Sequence, residues 1–182
     1  MARSTKTGHR RMKELLLETL QLKELPRAGW SRVGIGDAES VAAHSWGVSW
    51  LVVAVCPEGI DQHKALQLAV IHDLAEARVG DITPHDNIEK SQKSAMESEA
   101  LQDMLHMRPD LYQLWEEYEQ QKTPEAKLVH DLDRLDMALQ AVKYSRDHGV
   151  DTEEFLISAM NDVDHPDVIA MIERLRESAP SL

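Results

Sequence analysis

Ala65-Leu66-Gln67-Leu68-Ala69-Val70-Ile71-His72-Asp73-Leu74-Ala75-Glu76 is the stretch that decides the fold. Its apolar residues recur at helical spacing, and Ala65, Leu68, Ala69, His72, Asp73 and Glu76 share one broad face. Glu76 follows His72 by four residues and Asp73 by three, so one turn gathers an imidazole and two carboxylates. Burying two carboxylates in an apolar segment is costly unless a cation compensates them. The stretch therefore predicts a helix with metal ligands on its inward face, in a bundle whose other helices supply the rest.

The same periodicity extends to both ends of the chain, and aromatics at only 4% leave little from which to build a sheet. The fold class is all-α. A first helix is expected from about Thr7 to Leu25, with Met12, Leu15, Leu16, Thr19, Leu20 and Leu22 inward, closed by Pro26. A loop, Arg27 to Glu39, precedes a helix capped by Ser40 and running to Cys56. Asp61 caps a helix to about Arg78, followed by a loop from Val79 to His85. A polar helix from about Asn87 to Met107, a short one from Asp110 to Gln121, and a long one from Thr123-Pro124 to about Asp147 come next. Two short helices, Thr152 to Met160 and Pro166 to Glu177, complete one domain over residues 1–182.

Charge and composition narrow the function. Lys+Arg 20 against Asp+Glu 32 gives a net charge of −12, which disfavours binding to a nucleic-acid polymer. Arg3, Lys6, Arg10, Arg11 and Lys13 make the start of the chain basic, and residues 1–8 are expected to be a flexible arm. The longest apolar run, Val48 to Cys56, is too short for a membrane span, and the opening residues do not resemble a secretory leader, so a cytoplasmic protein is expected. Cys56 reads as a core residue, and Trp46 and Trp50 as core or dimer packing. His85, His106, His148 and His165 read as surface or loop residues.

Two further helices offer ligands. His44 falls on the apolar stripe of Val41, Val48, Leu51 or Val52, and Val55. Between Lys127 and Ala141, the stripe Leu128, Leu132, Leu135, Leu139 and Val142 is flanked by Asp131 and Asp136, with Asp133 further round. Periodicity does not choose among these three aspartates. His130-Asp131 repeats the His-Asp dipeptide without a glutamate three or four residues on, and reads as a surface pair.

These residues resemble the HD-domain metal-dependent phosphohydrolases. The resemblance is carried by Leu25-Pro26-Arg27-Ala28-Gly29-Trp30, Ser40-Val41-Ala42-Ala43-His44, and His72-Asp73-Leu74-Ala75-Glu76 leading into Gly80-Asp81-Ile82-Thr83-Pro84 with Asp86 and Ile88. Leu114-Trp115-Glu116-Glu117-Tyr118-Glu119 and Ala126-Lys127-Leu128-Val129 before Leu132-Asp133 extend it, so it spans about Leu22 to Arg174 and looks like the 5′-deoxynucleotidase branch.

The resemblance implies an HD-type bundle with His44, His72, Asp73 and Asp133 as ligands of a divalent cation, whether Mn, Co, Mg, Fe or Ni. It implies Glu76 as catalytic acid/base, assisted by Asp81. Arg27 and Trp30 would meet the phosphate, and Asp81, Ile82, Thr83 and Pro84 the deoxyribose of a deoxynucleoside monophosphate. A homodimer is also implied. Two other readings compete: an HD-type hydrolase of deoxynucleoside triphosphates or another nucleotide, and a non-catalytic metal-binding dimerisation module. Beyond the basic arm and Arg27, no group of Lys and Arg near the site suggests a grip on three phosphates. A pure binder would have no use for a free Glu76.

Overall fold

The computed structural model describes residues 2–178, with side chains from residue 8 onward. No strand occurs among these residues; one isolated antiparallel bridge joins Pro26 to Ser40. Helix α1 (Ala2–Glu18) tightens into a 3-10 segment, Thr19–Lys23. There follow α2 (Ala28–Arg32), α3 (Val41–Val55), α4 (Gln62–Ile71) and α5 (Glu76–Val79). The second half comprises α6 (Lys90–Met104), α7 (Pro109–Glu119), α8 (Pro124–His148), α9 (Glu153–Asn161) and α10 (Pro166–Ser178).

Local chemistry sets the boundaries of the helices that hold the site. Ser40 accepts from the Ala43 amide at the start of α3, Asp61 from Lys64 at α4, and Thr123 from Ala126 at α8, where Pro124 fills the first helical position. Each cap satisfies an amide the helix cannot, an effect worth about 1 kcal/mol. Gly149, at φ 66°, ends α8 in the left-handed conformation that glycine tolerates best.

α8 is the axis of the bundle, packing against α3, α4, α7, α9 and α10. Val129, Leu132, Ala138 and Ala141 on α8 are fully buried, as are Val48 and Val52 on α3 and Leu68 and Ala69 on α4. Each large side chain buried in this way contributes about 1.5–3 kcal/mol. A second apolar cluster, including Leu22, Val41, Ile71, Leu101 and Trp115, anchors α1, α6 and α7 to the same frame.

Several expectations need correction. The helix expected from Asp61 to Arg78 breaks after Ile71: Leu74, Glu76, Ala77 and Arg78 donate to carbonyls three residues back, so the chain tightens through His72–Ala75 before α5. The loop Arg27–Glu39 contains α2 and is pinned at its base, where Arg27 N donates to Glu39 O at 2.9 Å. The polar helix starts at Lys90 because Asn87 adopts a left-handed turn at φ 56°.

Leu16 and Leu20 on the expected inward side of α1 are exposed, while Leu22 is buried. Val55 and Leu139, assigned to the inward stripes of α3 and α8, are also more than a third exposed. Trp46 and Trp50 are 70% and 56% exposed, so neither belongs to the core of this chain. Cys56 is half-buried and packs on the main cluster. The backbone of α1 begins at Ala2, and the arm expected at residues 1–8 falls largely on residues 1–7, whose side chains lie outside those described. No described helix is long and apolar enough to cross a membrane.

Candidate metal centre

The three helices that share the core converge on one cluster. His44, at the second turn of α3, is fully buried; His72 and Asp73 follow the end of α4; Asp133 projects from α8. His44 Nε2 lies 3.1 Å from Asp133 Oδ1, 3.4 Å from His72 Nε2 and 3.7 Å from Asp73 Oδ2, and His72 Nε2 lies 3.2 Å from Asp73 Oδ2. Donors about 2.1 Å from an octahedral ion stand roughly 3 Å apart along its edges, so these separations suit a common cation.

The hydrogen bonds on the far sides of the rings strengthen the case. His72 Nδ1 is 2.8 Å from the carbonyl of Ala69, and His44 Nδ1 is 2.7 Å from Asp136 Oδ2. A carbonyl and a carboxylate can only accept, so each Nδ1 carries the proton in the neutral ring and each Nε2 is a bare lone pair. Two lone pairs then face each other among carboxylate oxygens. That donor set fits a divalent cation of the first row and leaves little else to balance it. Without one, a proton is drawn in: burial disfavours the His44 imidazolium, but the hydrogen bonds it donates to Asp133 and Asp136 outweigh it and raise its pKa to about 9. Burial likewise opposes ionisation of Asp133, yet Arg134 and His44 hold its carboxyl well below the usual range.

Glu76 sits beside this cluster, 3% exposed, and its Oε2 is buried with no hydrogen-bond partner. Burial first, then the charges of Asp73 and Asp81, push its pKa well above the ordinary carboxylate value. Arg27 reaches in from the start of α2, with Nη1 3.2 Å from Asp73 Oδ2 and 4.0 Å from Asp81 Oδ1. Burial opposes the Arg27 charge, but Asp73, Asp81, Glu76 and Asp133 more than offset it. Asp81 Oδ2 accepts from the Ala28 amide at 2.7 Å, which ties the Asp81 loop to the N-terminus of α2.

A cleft of about 880 Å³ opens over the cluster, a volume suited to a small organic ligand. Arg27, Trp30, Asp81, Ile82, Thr83 and Pro84 all border it. Trp30 is nevertheless 2% exposed; its indole N–H is given to Glu39 Oε1 at 2.9 Å and its ring packs on Tyr144 and Phe155. The Thr83 hydroxyl is committed to Asp86. Of the sequence-chosen ligands, His44, His72, Asp73 and Asp133 come together, and Asp131 and Asp136 do not enter the cluster's face.

Other groups at the cleft were not foreseen. Arg32, Lys90, Lys93 and Arg134 border it, which corrects the expectation that Arg27 stands without further cations. Lys90, Lys93 and Glu97 recur at helical spacing on α6, the one sequence signal that could have revealed them. Tyr118 is buried edge-on against the His72 ring. Asp131 is 4% exposed and receives the amides of Asp164 and His165 ahead of α10, so it is a buried structural residue and not part of a surface pair, while His130 is half-buried at the cleft edge.

An all-α bundle with two histidines and two aspartates converging between its helices defines a class of metal-site proteins, and comparison gives it a family. The HD domain family matches residues 19–176, and this chain belongs to it. It is 38% identical over 167 residues to the 5′-deoxynucleotidase HDDC2 of Danio rerio, covering 86% of this chain and 82% of that one. It is 34% identical to the human protein of that name, covering 94% and 89%. A solved structure from Pyrococcus horikoshii OT3 superposes with a TM-score of 0.79 at 32% identity over 89% of this chain and 98% of the other.

Glu97, on the cleft wall, gives a pH signature. Burial raises its pKa to about 7, against the opposing pull of Lys93. The folded state then holds a proton that the unfolded chain, at an ordinary glutamate value, has lost, so stability falls as pH rises from about 4.5 to 7. Glu97→Gln removes this linkage. Thermal melts from pH 5 to 8 should show the variant gaining on the parent protein as pH rises toward about 7 and the gap levelling above it; a gap that does not change with pH would contradict the assignment.

Proposed function

We propose that this chain is a metal-dependent 5′-deoxynucleotidase, hydrolysing deoxynucleoside 5′-monophosphates to the deoxynucleoside and phosphate. The observation that carries the reading is the pairing of an electron-pair-donor cluster with a buried, unpartnered carboxyl, Glu76, at the floor of a nucleotide-sized cleft. Relatives that match most of the chain are named 5′-deoxynucleotidases, which supports the same conclusion.

His44, His72, Asp73 and Asp133 would hold the cation. When bound, a divalent cation supplies charge withdrawal from the phosphoryl group and acidification of water. The protein's own groups do the positioning. Arg27, kept charged by its carboxylate neighbours, meets the dianionic phosphate. Asp81 fixes the backbone that carries Arg27, and with Ile82, Thr83 and Pro84 it forms the wall assigned to the deoxyribose. Trp30 acts from beneath, as the packed support of this loop. Glu76, held above the usual carboxylate pKa, is placed to accept a proton from the attacking water and return one to the leaving nucleoside oxygen.

Arg32, Lys90, Lys93 and Arg134 favour one competing reading, a grip on additional phosphates. A panel separates the two. Deoxynucleoside and ribonucleoside mono- and triphosphates are incubated with chelated enzyme and after Mn, Co or Mg is restored. The expected product is inorganic phosphate from deoxynucleoside monophosphates, dependent on metal and reduced roughly 10²–10⁴-fold in Glu76→Gln with the metal still bound. Release of intact triphosphate would move the protein to the triphosphohydrolase class; metal binding with no turnover would favour a binding module.

The reading includes a homodimer. Trp46, Trp50 and Val53 form an exposed apolar stripe along α3, more than half of each accessible, and a second copy of the chain is the occupant assigned to it. A half-buried, unpaired Cys56 suits the reducing cytoplasm, the location assigned here. Light scattering should give a dimer for the parent protein and a folded monomer for Trp50→Glu; two monomers, or two dimers, would reject this interface.

A further inference from the structure

We infer that Asp136 is a positioning residue for the metal site, and that Gly47 exists to admit it. The inference rests on reading His44, His72, Asp73 and Asp133 as ligands. Asp133 and Asp136 lie three residues apart on α8 and face the same ring from opposite sides: Asp133 Oδ1 is 3.1 Å from His44 Nε2, and Asp136 Oδ2 is 2.7 Å from His44 Nδ1. One face of α8 therefore holds a fully buried imidazole at both nitrogens. By accepting the Nδ1 proton, Asp136 fixes the tautomer that leaves Nε2 free toward the cluster, and it fixes the ring's angle.

Gly47 supplies an independent observation. It sits in the interior of α3, where glycine is about 1 kcal/mol less favourable than alanine, so its presence there needs a reason. An added Cβ would fall 2.8 Å from Asp136 Cγ and closer still to Oδ1. The carboxylate occupies the space a side chain would fill. His44 and Gly47 on α3 thus meet Asp133 and Asp136 on α8 as two matched pairs, each spaced by three residues.

The test is a cobalt titration of chelated protein, following the visible Co²⁺ absorption and its affinity, with circular dichroism confirming that each variant is folded. Asp136→Ala should weaken Co²⁺ binding by roughly 10- to 100-fold and alter the spectrum. Asp136→Asn, whose amide oxygen still accepts from Nδ1, should recover much of the loss. Gly47→Ala should also weaken binding, by displacing an intact Asp136, yet add nothing in the Asp136→Ala background, where its methyl has room. Wild-type affinity in folded Asp136→Ala and Gly47→Ala, or additive losses in the double variant, would overturn the inference. Failure of the parent protein to bind Co²⁺ would overturn the ligand reading beneath it.

Discussion

The facing of His44 Nε2 and His72 Nε2 at 3.4 Å, each with its proton held on the opposite nitrogen, is the constraint on which the site depends. As neutral rings neither can donate to the other, and the nearest groups are carboxylates. A divalent cation relieves that arrangement, as does, in its absence, the proton drawn to His44, so the chemistry of the site follows from two hydrogen bonds outside it. One goes to a carbonyl of α4, and the other to a carboxylate of α8. The backbone of one helix and the side chain of another thereby decide which face of each imidazole is available.

The rest of the fold can be read as support for this meeting. α3, α4 and α8 share a core of fully buried side chains, which fixes their separation to within the tolerance a metal demands. The tightening of the chain after Ile71 then turns Asp73 toward the cluster and brings Glu76 into a buried position. An unpartnered oxygen there costs stability, on the order of 1–3 kcal/mol. The same burial, with the charges of Asp73 and Asp81, holds the Glu76 proton more tightly than an ordinary glutamate would. Arg27 and Asp81 close the site from the loop side, linked through the Ala28 amide.

Much of this was legible in the sequence because the ligands sit on apolar stripes. His44 among Val41 and Val48, and His72-Asp73 with Glu76 after Leu68 and Ala69, announce themselves by being polar where burial is expected. Asp133 could not be chosen over Asp131 and Asp136 by spacing, since those two flank the stripe more closely than it does and the roles of the three differ in what faces them. Asp131 receives amides ahead of α10, Asp133 faces the cluster, and Asp136 holds a ring from behind. Residues brought in by tertiary packing, such as Lys93 and Tyr118, left only weak periodic signals. Exposed apolar residues misled in the opposite direction: Leu16 and Leu20 obey helical spacing and still face solvent, because periodicity reports an apolar face and not its partner.

Anomalous diffraction from crystals grown with Mn or Co, collected at the metal's absorption edge, tests the central claim most directly. The account predicts a peak bonded to His44 Nε2, His72 Nε2 and carboxylate oxygens of Asp73 and Asp133, with Asp136 still hydrogen-bonded to His44 Nδ1. A peak ligated through His44 Nδ1, or no metal between the two histidines, would contradict it.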